Sequence, residues 1–358
     1  MSAACTIESK SMKSEILSSP LRVGVIGVGH LGSIHAALWN EVENVALIGV
    51  CDSDNGAAKR VAEKNGVAVY DSPEQLFADV DAVSIVTPTT HHYTTAILAL
   101  RAGKHCMIEK PITSTVEQAR EISAIAKKNN LKIQVGHIER FNPALLALEK
   151  TMLKPLFIES HRLAQFTPRA TDVAVVHDLM IHDIDVILSI VHSPVVQIDA
   201  NGVSVVSDTV DIANARIQFE NGCVANVTAS RISQKQMRKM RIFQNDAYIS
   251  IDFAQPVVEV FKLIDSRENS AANSGDNSGG QVNNPVPTML LGQIEKGKIN
   301  RTIVYEQPSI PQINALKREL ELFRDAVLNN TNPVVTADDG VQALEVAEEI
   351  MRKISGVK

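Results

Sequence analysis

Short apolar runs punctuate the first third of the chain. Val23, Val25 and Ile26 form the first, and Val45–Val50 (VALIGV), Ala82–Val86 (AVSIV), His105–Ile108 and Lys132–Val135 repeat it. Runs this short fit strands buried on both faces. Between them lie helix candidates at Asn55–Asn65, Ser72–Ala78, Tyr93–Ala102 and Val116–Asn129. Pro73 stands early in its helix, where a missing N–H costs little. Strands alternating with helices predict an α/β domain with a doubly wound parallel sheet and helices on both faces.

The pattern then changes. One strong helix, Asp178–Val191, is followed by strands predicted at Val195–Val206, Asp211–Phe219, Cys223–Ala229, Met237–Phe243, Tyr248–Phe253 and Val257–Leu263. Glu220-Asn221-Gly222 and Asn245-Asp246 are hairpin signals between them. Strands in succession predict a large, mostly antiparallel open sheet. One face is for the helix and the other is a natural surface for a second copy, as a homodimer or homotetramer. Asn269–Pro287 is a polar, low-complexity loop, and two helices, roughly Pro311–Leu328 and Ala337–Ile354, close the chain.

The first strand ends in Gly27, Gly29 and Gly32, spaced G-x-G-x-x-G, with helix-compatible residues after them. Gly27 permits a tight bend, Gly29 lets a diphosphate approach the backbone, and Gly32 lets helix and strand pack closely. The helix N-terminus offers free N–H groups and partial positive charge to that diphosphate. The second strand ends at Asp52, where a carboxylate meets adenosine ribose hydroxyls. A carboxylate repels a 2′-phosphate, and Ser53 is not the arginine that would welcome one. The expected cofactor is therefore NAD rather than NADP, with Arg60 the residue that could overturn this. The expected layout is a flexible leader over 1–19, a dinucleotide-binding Rossmann domain over 20–140, and a substrate-binding and oligomerisation domain over 141–358.

A net charge of -6 argues against bulk nucleic-acid binding. Cys5, Cys51, Cys106 and Cys223 are scattered without a C-x-x-C pair, which suits a reducing cytoplasm and gives no zinc signature. No apolar run reaches membrane-spanning length, and the leader lacks the apolar centre of a signal peptide.

Three groups carry candidate chemistry. Glu109-Lys110-Pro111 follows a sheet strand, so Lys110 points into the crevice at the strand ends, beside Thr87-Pro88 on the neighbouring rim. On the helix VHDLMIHDIDVILSIV, Asp178, His182, Asp185 and Ser189 form one polar stripe on an otherwise apolar surface. An aspartate four residues before a histidine can reach its ring and raise its basicity, as a general base for an alcohol proton requires. The alternatives are a solvated polar edge, or a metal site using His177 and Asp183, which lie off the stripe. The third group is HIERFNP, His137–Pro143. There Arg140 and Asn142 reach into the crevice, or Arg140 forms a structural ion pair; both remain open. The basic run Arg231, Lys235, Arg238, Lys239 and Arg241 meets a phosphorylated substrate or lines a solvated sheet edge. His91 and His92 precede a helix, and His30 and His35 lie at the glycine turn without a catalytic assignment.

Taken in order, the glycine turn with Asp52, Thr87-Pro88, Glu109-Lys110-Pro111, Arg140-Phe141-Asn142-Pro143 and Asp178-x-x-x-His182 resemble the Gfo/Idh/MocA oxidoreductase family, from Leu21 to the last helix. The resemblance implies NAD(P)-dependent hydride transfer at a sugar or polyol hydroxyl. It assigns catalysis to Lys110, Asp178 and His182. The cofactor contacts expected are Gly27, Gly29, His30, Leu31, Gly32, Asp52, Thr87, Pro88, His92, Glu109, Lys110 and Arg140, and the substrate contacts Asn142, Arg231 and Arg238. Within the family, GHIERFNPA and the run from Asp178 to Asp185 resemble the branch that oxidises UDP-N-acetylglucosamine at C3, on the way to a lipid A amino sugar. The competing expectations are a dehydrogenase of a free sugar or inositol-like polyol, an enzyme using NAD without net redox change, and a non-catalytic NAD-binding sensor.

Overall fold

The computed structural model describes residues 19–167, 173–265, 288–296 and 299–356. The expected leader, apart from Ser19, and the expected loop over 269–287 lie outside the described residues.

Six strands build the first sheet: β1 (Leu21–Ile26), β2 (Val45–Cys51), β3 (Ala68–Val69), β4 (Ala82–Ile85), β5 (His105–Glu109) and β6 (Ile133–Gly136). All pair in parallel, in the order β3-β2-β1-β4-β5-β6. The order reverses direction between β1 and β4, which opens a crevice at their carboxyl ends. Five helices connect the strands: α1 (His30–Trp39), α2 (Asn55–Asn65), α3 (Pro73–Asp79), α4 (Thr89–Arg101) and α5 (Val116–Lys128). Side chains of Asp54, Ser72 and Thr115 cap α2, α3 and α5 by accepting the amide of the residue three further on. α4 begins four residues earlier than the sequence suggests, directly after Pro88.

A 3-10 turn at Ile138–Phe141 and the short helix α6 (Pro143–Leu146) lead into the second half. There β7 (Phe157–Leu163) precedes a π-helical turn, Val176–Met180, and α7 (Ile181–Val191). The strands β8 (Val195–Val203), β9 (Ile212–Phe219), β10 (Val224–Ser230), β11 (Met237–Phe243), β12 (Ala247–Asp252), β13 (Val257–Asp265), β14 (Thr288–Lys296) and β15 (Ile299–Glu306) follow. With β7 they form one sheet, ordered β14-β15-β13-β12-β11-β7-β10-β9-β8 and antiparallel except where β7 meets β10. The sequence pattern does not announce β7, β14 or β15. β7 escapes for a physical reason: its inward row is Ile158, Ser160 and Arg162, so the apolar alternation that marks a half-buried strand is missing.

α7 lies on one face of this sheet, and its Ile181, Ile184 and Ile187 share one core with Ala215, Val227 and Ile251. The chain then returns to the first domain. α8 (Ala315–Leu328) places Leu316, Leu320 and Phe323 in one core with Val23, Trp39 and Val50, and Phe323 meets Trp39 edge-on at 6.4 Å. α9 (Ala337–Ile354) adds Val341 and Leu344 to the core under Ile108 and Ile112. The first domain's core is thus completed by helices from beyond residue 314.

Candidate functional site

The three glycines do separate work. Gly27 has φ 84°, in the left-handed region. A Cβ on Gly32 would lie 1.9 Å from the Gly27 carbonyl oxygen, so α1 packs against the turn as only glycine allows. A Cβ on Gly29 would meet nothing within 4 Å, which leaves this stretch of backbone open to an approaching diphosphate. Asp52, at the end of β2, accepts the Val28 amide at 2.6 Å and the Asp54 amide at 2.8 Å. Gly27, Asp52, Thr87 and Pro88 line one crevice of about 350 Å³ with Asp71 and His91. His30 and Leu31 stand exposed at the start of α1. The open approach at Gly29 beside this crevice fits a dinucleotide.

His92, expected to touch the cofactor, lies beneath the crevice instead. Its Nδ1 is 2.9 Å from the Pro111 carbonyl oxygen and its Nε2 2.9 Å from that of Thr87, so the ring sits between the two rim turns. Burial holds its pKa below the usual value despite those two carbonyls. Its neighbour His91 takes the lining position; one residue along a helix turns a side chain by about 100°.

Glu109 also turns inward. Its carboxylate accepts the Lys110 amide at 3.2 Å, is 3.1 Å from His35 Nε2, and rests over Gly136, where a Cβ would come within 2.8 Å of it. Burial opposes its charge, but the His35 and Lys110 hydrogen bonds hold it below the usual carboxylate range. It shapes the turn from behind rather than lining the crevice. Lys110, joined to Pro111 by a cis peptide, reaches across the domain junction. Its Nζ donates to the Asp178 carbonyl at 2.8 Å and to the Asp178 carboxylate at 3.3 Å.

That contact corrects the predicted pairing of Asp178 with His182. The π-helical turn takes Asp178 off the α-helical line, and its carboxylate serves Lys110. His182 Nδ1 is sealed in the interior without a hydrogen-bond partner among the described residues. Burial, then the charges of Lys110 and Arg162, push its pKa well below the usual value. The rest of the polar stripe is structural. Asp185 accepts Arg140 at 2.7 and 2.9 Å, and Ser189 donates to the Val186 carbonyl. Off the stripe, Asp183 pairs with Arg162 at 2.7 Å and His177 with Glu348 at 2.9 Å. No three or more His, Cys, Asp or Glu side chains converge on a metal position among the described residues.

Several further expectations are corrected by the same geometry. Arg140 forms the buried ion pair rather than a cofactor contact. Asn142 caps α6 and donates to Glu139 and to the Phe253 carbonyl. Arg231 is buried, bonded to the Val173 carbonyl and 3.8 Å from Asp211. The basic run is not one patch, because strand pleat divides it. Arg238 shares the helix-side face with buried Met240, while Lys239 and Arg241 face away and pair with Asp252 and Glu159. Arg238 is half exposed and 3.7 Å from Glu139. Arg162, missed in the sequence, bonds both Glu139 and Asp183 and thereby joins the two domains. A buried arginine at an inward strand position leaves no periodic signal.

Two family models match this chain: an oxidoreductase family with an NAD-binding Rossmann fold, over residues 21–137, and the Gfo/Idh/MocA C-terminal domain, over 154–250. The chain belongs to the Gfo/Idh/MocA family, as a dehydrogenase built on an NAD-binding Rossmann domain. It is 41% identical over 242 residues to the UDP-N-acetylglucosamine 3-dehydrogenase of Acidithiobacillus ferrooxidans, covering 67% of this chain and 77% of that one. The solved structure of UDP-N-acetylglucosamine 3-dehydrogenase GnnA from that organism superposes with a TM-score of 0.80 at 33% identity, over 94% of this chain and 98% of the other. The scyllo-inositol 2-dehydrogenase (NAD(+)) of Bacillus subtilis is 30% identical over 60% of this chain and 68% of its own.

Proposed function

We propose that this chain oxidises, or in reverse reduces, a CH–OH group of a nucleotide sugar, at C3 of a UDP-N-acetylglucosamine-like substrate, with NAD. The carrying observation is the crossing of Lys110 to Asp178 beside His182, at the junction of the two domains. Gly27 to Gly32 and Asp52 would hold the dinucleotide. A bound nicotinamide would supply the hydride acceptor or donor for the carbinol carbon. Lys110 donates to the reacting oxygen and favours its developing negative charge. His182, with Nδ1 sealed inside, presents Nε2 to the hydroxyl and takes its proton. Asp52 standing in the crevice, without Arg60 among its lining residues, supports NAD over NADP. The 41% identity to a nucleotide-sugar enzyme supports the substrate, and Arg238 is the arginine on the correct face to meet a diphosphate.

A second reading, a free polyol, draws on the inositol relative and on Asp211, Asp252 and Glu159, which neutralise most of the basic run. Incubation with NAD, a carbonyl trap and a panel of UDP-N-acetylglucosamine, N-acetylglucosamine, glucose and myo-inositol separates them. Reduced nicotinamide formed only with the nucleotide sugar supports the first reading; formation with inositol alone replaces it by the second.

We also propose that two copies pair through the sheet face opposite α7. Phe157, Phe243, Tyr248, Phe261 and Tyr305 form an unbroken row across five strands there, with ring centroids 5.0 to 5.9 Å apart. Phe243→Glu is expected to halve the mass seen by light scattering; a wild-type monomer would refute the pairing.

A further inference from the structure

The assigned base stands in an unfavourable electrostatic setting. Burial and the charges of Lys110, Arg162 and Arg238 oppose a second proton on the His182 ring, and Asp178 is turned away to Lys110. Yet a base that accepts at Nε2 must carry its own proton on Nδ1, the nitrogen directed into the interior. That N–H finds no partner among the described residues. Behind the helix lies a second ring in the same condition. His137 is buried at the end of β6, and both its nitrogens lack partners among the described residues. It opens the 138–141 turn, which packs against α7 on one side and α8 on the other. Buried polar atoms in folded proteins are hydrogen-bonded to protein or to internal water, so a water between the rings would give His182 Nδ1 an acceptor and one His137 nitrogen a donor.

We propose that His137 is the inner partner of His182, joined to it through water, and that it stores a proton while the substrate is being oxidised. This rests on the proposed function. As the substrate O–H bond breaks and the C=O bond forms, His182 Nε2 takes that proton. Nδ1 passes its own proton inward to His137. When product leaves, Nε2 releases its proton to water in the cleft and the stored proton returns to Nδ1.

Charge placement gives this direction. Burial disfavours a proton on His137, and the charges of Asp185 on α7 and Glu109 on β5 offset part of that, against Arg140 on its own turn and Lys110; on α8, burial raises the Glu319 carboxyl well above the usual range. His182 faces only cations and His137 among its strongest influences. Glu109 keeps its charge through His35 and the Lys110 amide, and Asp185 is held by Arg140. A proton is therefore less disfavoured on His137 than a second one is on His182.

The test uses the full chain and its His137→Gln variant, in which glutamine can still bond a water but cannot hold the proton. Ring-nitrogen NMR is recorded across pH without substrate, and kcat is measured across pH with whichever sugar the wild type oxidises. The expected result is that the His137 and His182 signals titrate together in the wild type and that His182 titrates differently in the variant. The variant's kcat is expected to fall about tenfold, short of the ~10²–10⁴-fold for losing a base, with KM unchanged and an altered pH profile. Independent titration of the two rings, or a variant with wild-type kcat and profile, overturns the proposal. Silence of the wild type toward every sugar would count against the proposed function instead, and the ring titrations would then decide the pairing alone. Should the variant fail to fold, the wild-type titrations still decide it.

Discussion

Of the ion pairs that cross the domain junction, two go to carboxylates on the same helical segment, and they behave as opposites. Arg140 meets Asp185 through two short contacts, 2.7 and 2.9 Å, with only 1% of the Asp185 side chain exposed. Lys110 meets Asp178 through one carboxylate contact at 3.3 Å, with 32% of Asp178 exposed. The first is a planar, bidentate pair that fixes orientation. The second is a point charge on a flexible stem, steadied by a backbone carbonyl and able to turn toward a ligand. One sets where the helix sits; the other leaves a cation adjustable at the place where negative charge develops.

Breaking each pair should show the contrast. Asp185→Ala removes both short contacts of a largely buried guanidinium, leaving it Asp339 at 3.6 Å, and is expected to destabilise the fold by ~3 kcal/mol, read from denaturant melts. Asp178→Ala should cost under about 1 kcal/mol by the same measure, since its pair is partly solvated. Equal losses from the two would end the distinction between strut and adjustable charge. Next in size, Lys110→Met should lower kcat by ~10²–10³-fold while NAD affinity and melting stay near wild type. A variant retaining wild-type turnover would remove Lys110 from the chemistry.

The smallest effect concerns the rings behind the pairs. Burial holds His137 and His182 below the usual histidine pKa in the folded chain. The unfolded chain takes up those protons first as pH drops through about 6.5, so stability is full above that pH and declines below it. Each ring contributes at most roughly 1.4 kcal/mol per pH unit, and His137→Gln should flatten the acid slope of stability.

The glycine turn was legible because its function is carried by backbone. Spacing alone places Gly27, Gly29 and Gly32, and nothing distant alters their roles. Lys110 and His182 could be named from their motifs, but their partners could not. Asp178 and His182 stand four apart in sequence, yet a local π-helical turn sends Asp178 to a lysine 68 residues away. Arg140, Asn142 and Arg231 read as site residues because exposed and buried charges look alike in a sequence. Their fates were decided by Asp185, Glu139 and Asp211, each brought in by tertiary packing. The basic run shows a simpler miss: strand pleat sends its alternate members to opposite sides of the sheet.

The return of α8 and α9 to the first domain bears on how the chain is made. Leu316, Leu320 and Phe323 seal one flank of the nucleotide-binding sheet, and Val341 and Leu344 another. A ribosome that has delivered the six parallel strands has therefore delivered a domain with two greasy flanks still bare. These stay uncovered through synthesis of the whole second sheet, about 180 residues or some ten to forty seconds at ~5–20 residues per second. During that interval the nascent first domain is a natural client for chaperones, and a chain cut before α8 is expected to aggregate rather than persist as a free nucleotide-binding module.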